Sequence, residues 1–155
     1  MPLAITSYQW FLSVHILCAV LWVGANFAFV ILYTRMRPET DAAGTARLIR
    51  DNEFIGNKMF APLSVILLVM GFILIGKGDW NYDFWIIFGF FVWAFSFLNG
   101  VGYLGRRALP LAARLESEGY TGTVVNDFRN WHRAAHIEFG LLVLVVLDMA
   151  LKPGA

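Results

Sequence analysis

The stretch Trp10-Phe-Leu-Ser-Val-His15-Ile-Leu-Cys18-Ala-Val-Leu-Trp22-Val-Gly24-Ala-Asn26 decides the class of fold. It belongs to an apolar run that continues to Tyr33. A helix needs about 20 residues to cross about 30 Å of hydrocarbon, so this run predicts a membrane-spanning helix. An ionisable side chain at membrane depth is costly and normally faces the protein interior, which makes His15 the first candidate functional residue.

The composition of the whole chain is typical of a membrane protein. Its 155 residues are 59% hydrophobic and only 15% charged, whereas a soluble domain has about 25% charged residues. Four apolar runs cover residues 10–33, 60–76, 84–105 and 134–151. Lipid accepts only helices or closed barrels, and the alternation of a barrel strand is missing. The sequence therefore predicts an all-α, antiparallel, integral membrane four-helix bundle, with residues 1–155 as a single transmembrane domain.

Basic residues are concentrated in the first and third of the predicted loops. They are Arg35, Arg37, Arg47, Arg50 and Lys58 in the first loop, and Arg106, Arg107, Arg114, Arg129 and Arg133 in the third. The opposite side has only Lys77 and Lys152. The positive-inside rule then places both loops in the cytoplasm and both termini on the periplasmic side of an inner (plasma) membrane. The N-terminus lacks a basic region, so the first span is expected to be retained rather than cleaved.

Both predicted cytoplasmic loops contain an amphipathic stretch, at residues 42–57 and 109–117. Apolar and charged residues are mixed there, which is typical of short helices on the inner membrane surface. Aromatic anchors are expected at both membrane interfaces. They are Trp10, Trp80, Tyr82 and Trp85 on the outer side and Tyr33, Tyr103 and Trp131 on the inner side.

The polar residues of the first span share one helix face. At about 100° per residue, four residues lie within about 40° of His15; they are Trp22, Asn26, Phe29 and Tyr33. A stripe of this kind should face the bundle interior. Its residues either line a site or form hydrogen bonds between helices, and their grouping on one face favours a lined site.

The fourth span opens with Trp131-His132-Arg133-Ala-Ala-His136. His132 and His136 are four residues apart and share a helix face, the spacing at which one helix can offer two imidazoles to a metal. Snorkelling of His132 to water is the alternative. Glu138 lies about 160° from His136 around the helix, and it is expected to pair with a basic group at the inner rim.

Antiparallel helices place His15 and His136 at different depths, about 15–20 Å apart along the bundle. A single haem held by both imidazoles is therefore hard to build. Two layers of polar residues fit better. The outer layer would contain His15 and Asp148, where a carboxylate would fix the tautomer of the imidazole. The inner layer would contain Asn26, Asn99 and His136.

Short motifs connect the chain to known families. The run His15-x3-Ala19-x2-Trp22-x-Gly24 resembles the opening of small bacterial membrane families, including the copper-resistance CopD type and the HemJ-type protoporphyrinogen oxidase. Residues 53–62 are similar to the turn into their second span. The ending Asp148-Met-Ala-Leu-Lys152-Pro-Gly154 resembles a sister family of predicted integral membrane proteins without assigned activity.

The resemblance carries over only in part. His15 matches the first-span His of the HemJ type, but that type also has a third-span Lys and His, which residues 84–105 lack. This departure argues against protoporphyrinogen oxidase activity. The CopD type implies copper, for which only His15 and His136 match ligand positions.

Two functions from different classes remain. In the first, the bundle binds haem b or a copper ion for a redox or metal-handling role. The cofactor would be bound by His15, Trp22, Asn26, Asn99 and His136, and the metal ligands would be His15, His132 and His136. In the second, the chain is a non-catalytic accessory or structural subunit whose His and Asn residues form hydrogen bonds between helices.

A HemJ-like oxidase ranks third, and whether the chain is an enzyme stays open. The expected partners are the lipid bilayer, further copies of the chain or a larger membrane complex. Nothing in the sequence points to nucleic acid.

Overall fold

The computed structural model describes residues 6–36 and 39–153. In this part of the chain it contains four long helices, which are α1 (Ser7–Arg35), α2 (Ala42–Gly78), α3 (Phe84–Glu118) and α4 (Gly122–Leu151). All four are long and apolar enough to cross a membrane, and the described residues contain no strand. The predicted all-α four-helix membrane bundle is confirmed.

Some sequence-based expectations concern residues that the structure does not describe. Arg37 of the first basic cluster and Gly154 of the C-terminal motif lie outside the described residues. Residues 1–5, on which the expectation of a retained first span depends in part, also lie outside them.

Consecutive helices run antiparallel and pack as a ring. Helix α1 contacts α2 and α4, and α3 contacts α4 and α2. We call the end of the bundle with the connections after Arg35 and Glu118 the basic end. The opposite end, where α1 begins and α4 ends, is the terminal end.

Helices α2 and α3 are longer than a membrane is thick. Their 37 and 35 residues correspond to more than about 50 Å, against about 30 Å of hydrocarbon. The excess consists of the amphipathic segments Ala42–Ile55 and Arg106–Glu118, which we call the extensions. The amphipathic helices predicted in the two loops are present, while their expected position on the membrane surface stays a prediction. They continue the spans, and they pack against each other through buried residues that include Ile49, Ala112 and Leu115.

The largest buried core lies at the basic end, where the extensions meet α1 and α4. Its buried residues are Phe29, Tyr33, Ala46, Leu48, Ile49, Ala108, Leu111, Ala112, Leu115, Val124, Phe128 and Trp131. Two predicted interfacial aromatics are thus core residues, since Tyr33 and Trp131 are only 3% and 1% exposed. Trp85 at the terminal end is also buried. These three side chains point into the bundle, so they cannot act as anchors facing lipid.

Ion pairs join the extensions outside this core. Arg50 of α2 forms a bidentate pair with Glu116 of α3, with 2.7 Å between Nη2 and Oε2. Arg114 of α3 pairs with Asp127 of α4. Exposed pairs of this kind contribute little stability, so their main effect is to fix the relative orientation of the helices.

Both long helices adopt π-helical hydrogen bonding where the extension meets the span. The π segments are Gly56–Phe60 in α2 and Leu98–Gly105 in α3, and they contact each other. A π turn departs from the regular helical ladder and is frequent at functional sites. The carbonyl oxygen of Leu104, inside the second segment, accepts a hydrogen bond from Trp131 Nε1 at 3.0 Å. The irregular backbone is thus held in place by a side chain of α4.

The contact between the extensions can be tested by truncating one core residue. Leu115→Ala should lower the free energy of unfolding by about 2–5 kcal/mol, because Leu115 is fully buried between the helices. Leu109→Ala, on the same extension but at a residue 49% exposed, should change it by less than about 0.5 kcal/mol. Chemical unfolding of the protein in detergent, followed by circular dichroism, measures both variants. Equal effects of the two substitutions would contradict the packing described.

Candidate functional site: a polar cavity between the four helices

A polar cavity lies between all four helices at the level of the π segments. Its volume is about 70 Å³, which is enough for a few water molecules at about 10–15 Å³ each. A pocket for a small organic molecule is several times larger. The polar residues that line the cavity are Asn26, Tyr33, Asn52, Glu53, Asn57, Ser64, Ser96 and Glu138. Among the described residues, none that lines it is Lys or Arg.

Glu138 of α4 supplies the buried carboxyl group of this cavity. It is 4% exposed, and Asn99 of α3 donates a hydrogen bond from Nδ2 to its Oε2 at 2.7 Å. The other oxygen, Oε1, lies beside Gly100, where a Cβ would be 3.9 Å away. Glu138 therefore connects α4 to the π segment of α3.

The expected pairing of Glu138 with a basic group at the inner rim is wrong. Glu138 lies on the same face of α4 as Trp131, Ala135 and Leu142, which are all buried. This face is turned toward the bundle interior, so the carboxyl group meets an amide there. The spacing Trp131-x3-Ala135-x2-Glu138-x3-Leu142 follows the helical repeat, and it is the signal in the sequence that predicts this orientation.

Ser96 of α3 adds a second buried polar group to the cavity wall. It is 1% exposed, and its Oγ has no hydrogen-bond partner among the described residues. A buried polar group without a partner costs about 1–3 kcal/mol. Sequence reasoning missed Ser96, because a serine in an apolar run is unremarkable. Its hydroxyl is therefore a hydrogen-bonding group in the cavity wall that no other described residue uses.

The rim of the cavity on α2 is polar. Glu53 accepts a hydrogen bond from Asn57 Nδ2, and both residues line the cavity. Asn57 is exposed and Glu53 is half-buried. The cavity that Glu138 lines is therefore also lined by polar groups that reach the protein surface.

The other side of the cavity, toward the terminal end, is apolar. Trp22, Val92 and Leu142 form a buried cluster there, which we call the apolar layer. Val92 is one turn beyond Ser96, and Leu142 is one turn beyond Glu138. The cavity thus has a polar side and an apolar side along the bundle axis.

The predicted stripe on α1 does face the interior. Trp22, Phe29 and Tyr33 are buried, and Asn26 lines the cavity while its Nδ2 donates to the carbonyl of Trp22 at 3.1 Å. The amide of Asn26 is therefore bonded within its own helix. Two residues of the expected inner layer are at the cavity. Asn26 lines it, and Asn99 donates a hydrogen bond to Glu138 in the cavity wall.

His15 lies outside the cavity, on the terminal side of the apolar layer. Its Nδ1 is 3.1 Å from the carbonyl oxygen of Leu67 in α2, and its Cε1 would be 3.7 Å from a Cβ at Gly71. Because a carbonyl only accepts, Nδ1 is the donor in this contact, which leaves Nε2 free of it. The expected pair with Asp148 is not formed, since Asp148 Oδ2 has no hydrogen-bond partner within the described part of the chain.

His132 and His136 lie on the seam between α1 and α4. Their rings meet edge to face at 4.2 Å, and the ring of His132 also packs against Tyr33 at 5.7 Å. His136 Nδ1 is 2.9 Å from the carbonyl oxygen of His132, one turn earlier. Neither residue is among those that line the cavity, so the histidine expected in the inner layer is absent from that layer.

The register of α1 against α4 gives the distance between the two candidate haem ligands. Phe27 stacks on Phe139 at 5.6 Å, so these residues are at the same level. His15 is twelve residues from Phe27 toward the terminal end, and His136 is three residues from Phe139 toward the basic end. At 1.5 Å per residue, their levels differ by about 22 Å. His15 and His136 therefore cannot be the two axial ligands of one haem.

The described residues also do not assemble the proposed metal ligands. They contain no group of three or more His, Cys, Asp or Glu side chains that could hold a metal ion. His15 is separated from His132 and His136 by the apolar layer. The residues brought together are instead Glu138, Asn99, Asn26 and Ser96.

Comparison with known proteins gives one result. The model of a family described as "Predicted integral membrane protein (DUF2269)" matches residues 10–153. No curated protein and no solved structure matches the chain. The family description states a membrane location and names no activity.

The environment of His15 predicts its tautomer. Nitrogen NMR of histidine-labelled protein in detergent should show His15 as neutral imidazole with the proton on Nδ1, because the Leu67 carbonyl accepts from that atom. His15→Ala identifies the signal. A His15 signal with the proton on Nε2 would contradict the hydrogen bond.

Proposed function

The chain belongs to this family of predicted integral membrane proteins, and we propose that it handles protons, with Glu138 as the group that takes up a proton. The observation that carries the proposal is the position of Glu138. It is a buried carboxyl group that lines a water-sized cavity in which the described residues place no Lys or Arg.

A buried carboxylate requires a compensating positive charge or a proton. Removing an ionised carboxylate from water costs several kcal/mol unless it is paired. The amide of Asn99 offers a hydrogen bond but no charge. A proton is the smallest cation that neutralises Glu138, whereas Ca²⁺ would need six to eight oxygen ligands. Carboxyl groups inside membrane spans are typical of proton relays.

The surroundings of Glu138 support uptake from one side of the membrane. The rim with Glu53 and Asn57 is polar and partly exposed, and the apolar layer of Trp22, Val92 and Leu142 closes the other side. We assign the basic end to the cytoplasm by the positive-inside rule. The proton would then enter from the cytoplasmic side of an inner membrane. Further copies of the chain, which the reconstituted vesicles also contain, would complete the transfer across the apolar layer.

The haem or copper hypothesis is supported by His15, whose Nδ1 is bonded to the Leu67 carbonyl, so that only Nε2 would be left for a metal. Against it, the geometry does not fit a haem held by both His15 and His136, because their levels are about 22 Å apart. The accessory-subunit hypothesis is supported by two bonds between helices, from His15 to Leu67 and from Asn99 to Glu138. It differs from the proton hypothesis in expecting no proton movement.

Proton movement can be measured in proteoliposomes that contain a pH-sensitive dye. Under an imposed membrane potential, the wild-type chain should change the internal pH faster than protein-free vesicles. Glu138→Gln should reduce the rate to that of protein-free vesicles, because an amide cannot take up and release the proton. The matched control Glu39→Gln, at an exposed carboxyl, should keep the wild-type rate.

Two outcomes of this experiment would contradict the proton hypothesis. One is a wild-type rate equal to that of protein-free vesicles, which would favour the accessory subunit. The other is an unchanged rate in Glu138→Gln. Circular dichroism and gel filtration of each variant show whether it is folded.

The haem and copper hypothesis is tested by the visible spectrum and metal content of protein expressed with haem and copper supplied. The separation of the histidines predicts no haem spectrum with two axial imidazoles. A haem absorption band or stoichiometric copper that disappears in His15→Ala but persists in His132→Ala would establish a cofactor bound by His15. The cofactor hypothesis would then replace the proton hypothesis as the function of the chain.

A further inference from the structure

We infer that the basic end has a binding groove for the headgroup of an anionic phospholipid, independent of the polar cavity. The groove lies between α3 and α4 and has a volume of about 290 Å³. The polar residues that line it are Tyr103, Arg106, Arg107, Arg114, Asp127 and Asn130. We call it the arginine groove.

The charge of the arginine groove is not balanced by ion pairs among the described residues. Arg114 is paired with Asp127, which also lines the groove. Arg106 and Arg107 are exposed and form no ion pair within residues 6–36 and 39–153. Two positive charges are therefore left for a ligand. Guanidinium groups bind phosphate oxygens in bidentate geometry, so a phosphate group is the matching ligand chemistry.

One of these two arginines is held in place by an aromatic ring. The guanidinium of Arg107 lies over the ring of Tyr103, 4.2 Å from its centroid. Such a contact is attractive and limits the motion of a long side chain. Asn130 on α4 adds an amide to the opposite wall of the groove. The groove thus has a positioned cation and a hydrogen-bonding group facing one space.

The depth of the groove identifies the source of the phosphate. Arg106 and Arg107 directly follow Gly105, the last residue of the predicted third span. Trp131, which also lines the groove, donates to the carbonyl of Leu104, so the part of the groove with Arg106, Arg107 and Asn130 is at the level where the predicted third span ends. Lipid headgroups lie at this level, and basic pockets between spanning helices bind phosphate-bearing headgroups. The occupant is therefore a membrane phospholipid and not a soluble phosphate.

The inference can be tested with the purified full-length chain and two lipids that differ in charge. Native mass spectrometry in detergent counts bound phosphatidylglycerol and phosphatidylcholine added at equal concentration. The wild-type chain should retain phosphatidylglycerol in preference. Arg106→Gln combined with Arg107→Gln should reduce this preference by a factor on the order of 30, because both unpaired charges are lost.

Two further variants distinguish loss of binding in the groove from the effects of a lower net charge and of misfolding. Arg129→Gln combined with Arg133→Gln removes two exposed charges of α4 that do not line the groove, and it should keep the preference. Arg106→Lys combined with Arg107→Lys keeps the charge and should retain most of it. Equal retention of both lipids by the wild type, or the same loss in the α4 control, would overturn the inference. Displacement of phosphatidylglycerol by inorganic phosphate at millimolar concentration would also overturn it.

Discussion

A carboxyl group buried in a membrane bundle, with no basic partner in the part of the chain that the structure describes, is the constraint on which the rest of this structure depends. Glu138 is 4% exposed and bonded to the amide of Asn99. Burying an ionised carboxylate at this depth costs free energy. A change in the charge of Glu138 therefore requires that a proton or another cation enters or leaves the cavity. The polar rim lies on one side of the cavity and the apolar layer on the other. This arrangement is the physical basis for proposing that the chain takes up protons.

The architecture explains how a small four-helix protein can keep such a cavity. The extensions of α2 and α3 build a core beyond the predicted spans, with Leu115 and Ile49 fully buried. That core gains the full benefit of apolar burial in water, which packing within lipid does not provide. It holds the four helices together next to the cavity, so the irregular backbone of the π segments is tolerated there. The core that stabilises the bundle and the cavity of the proposed function therefore lie next to each other along the bundle axis.

Much of the fold was predictable because the membrane restricts the choices. Apolar runs of sufficient length leave only spanning helices, and the stripe of Trp22 and Tyr33 on α1 correctly predicted an inward face. The extensions were not predictable as such, because an amphipathic pattern does not show whether its apolar face meets lipid or another helix. The inward orientation of Glu138 is present in its spacing from Trp131. Its partner Asn99 depends on the register of α3 against α4, which one sequence does not contain.

The state of the Glu138 carboxyl group tests the central claim most directly. Infrared difference spectroscopy of the reconstituted protein, recorded as the pH of the bulk solution is changed, reports protonated carboxyl groups by their C=O stretch. The account predicts a band that shifts in deuterated water and is absent from Glu138→Gln, because the group exchanges its proton through the polar rim. The absence of such a band from the wild type, or its persistence in Glu138→Gln, would contradict the account.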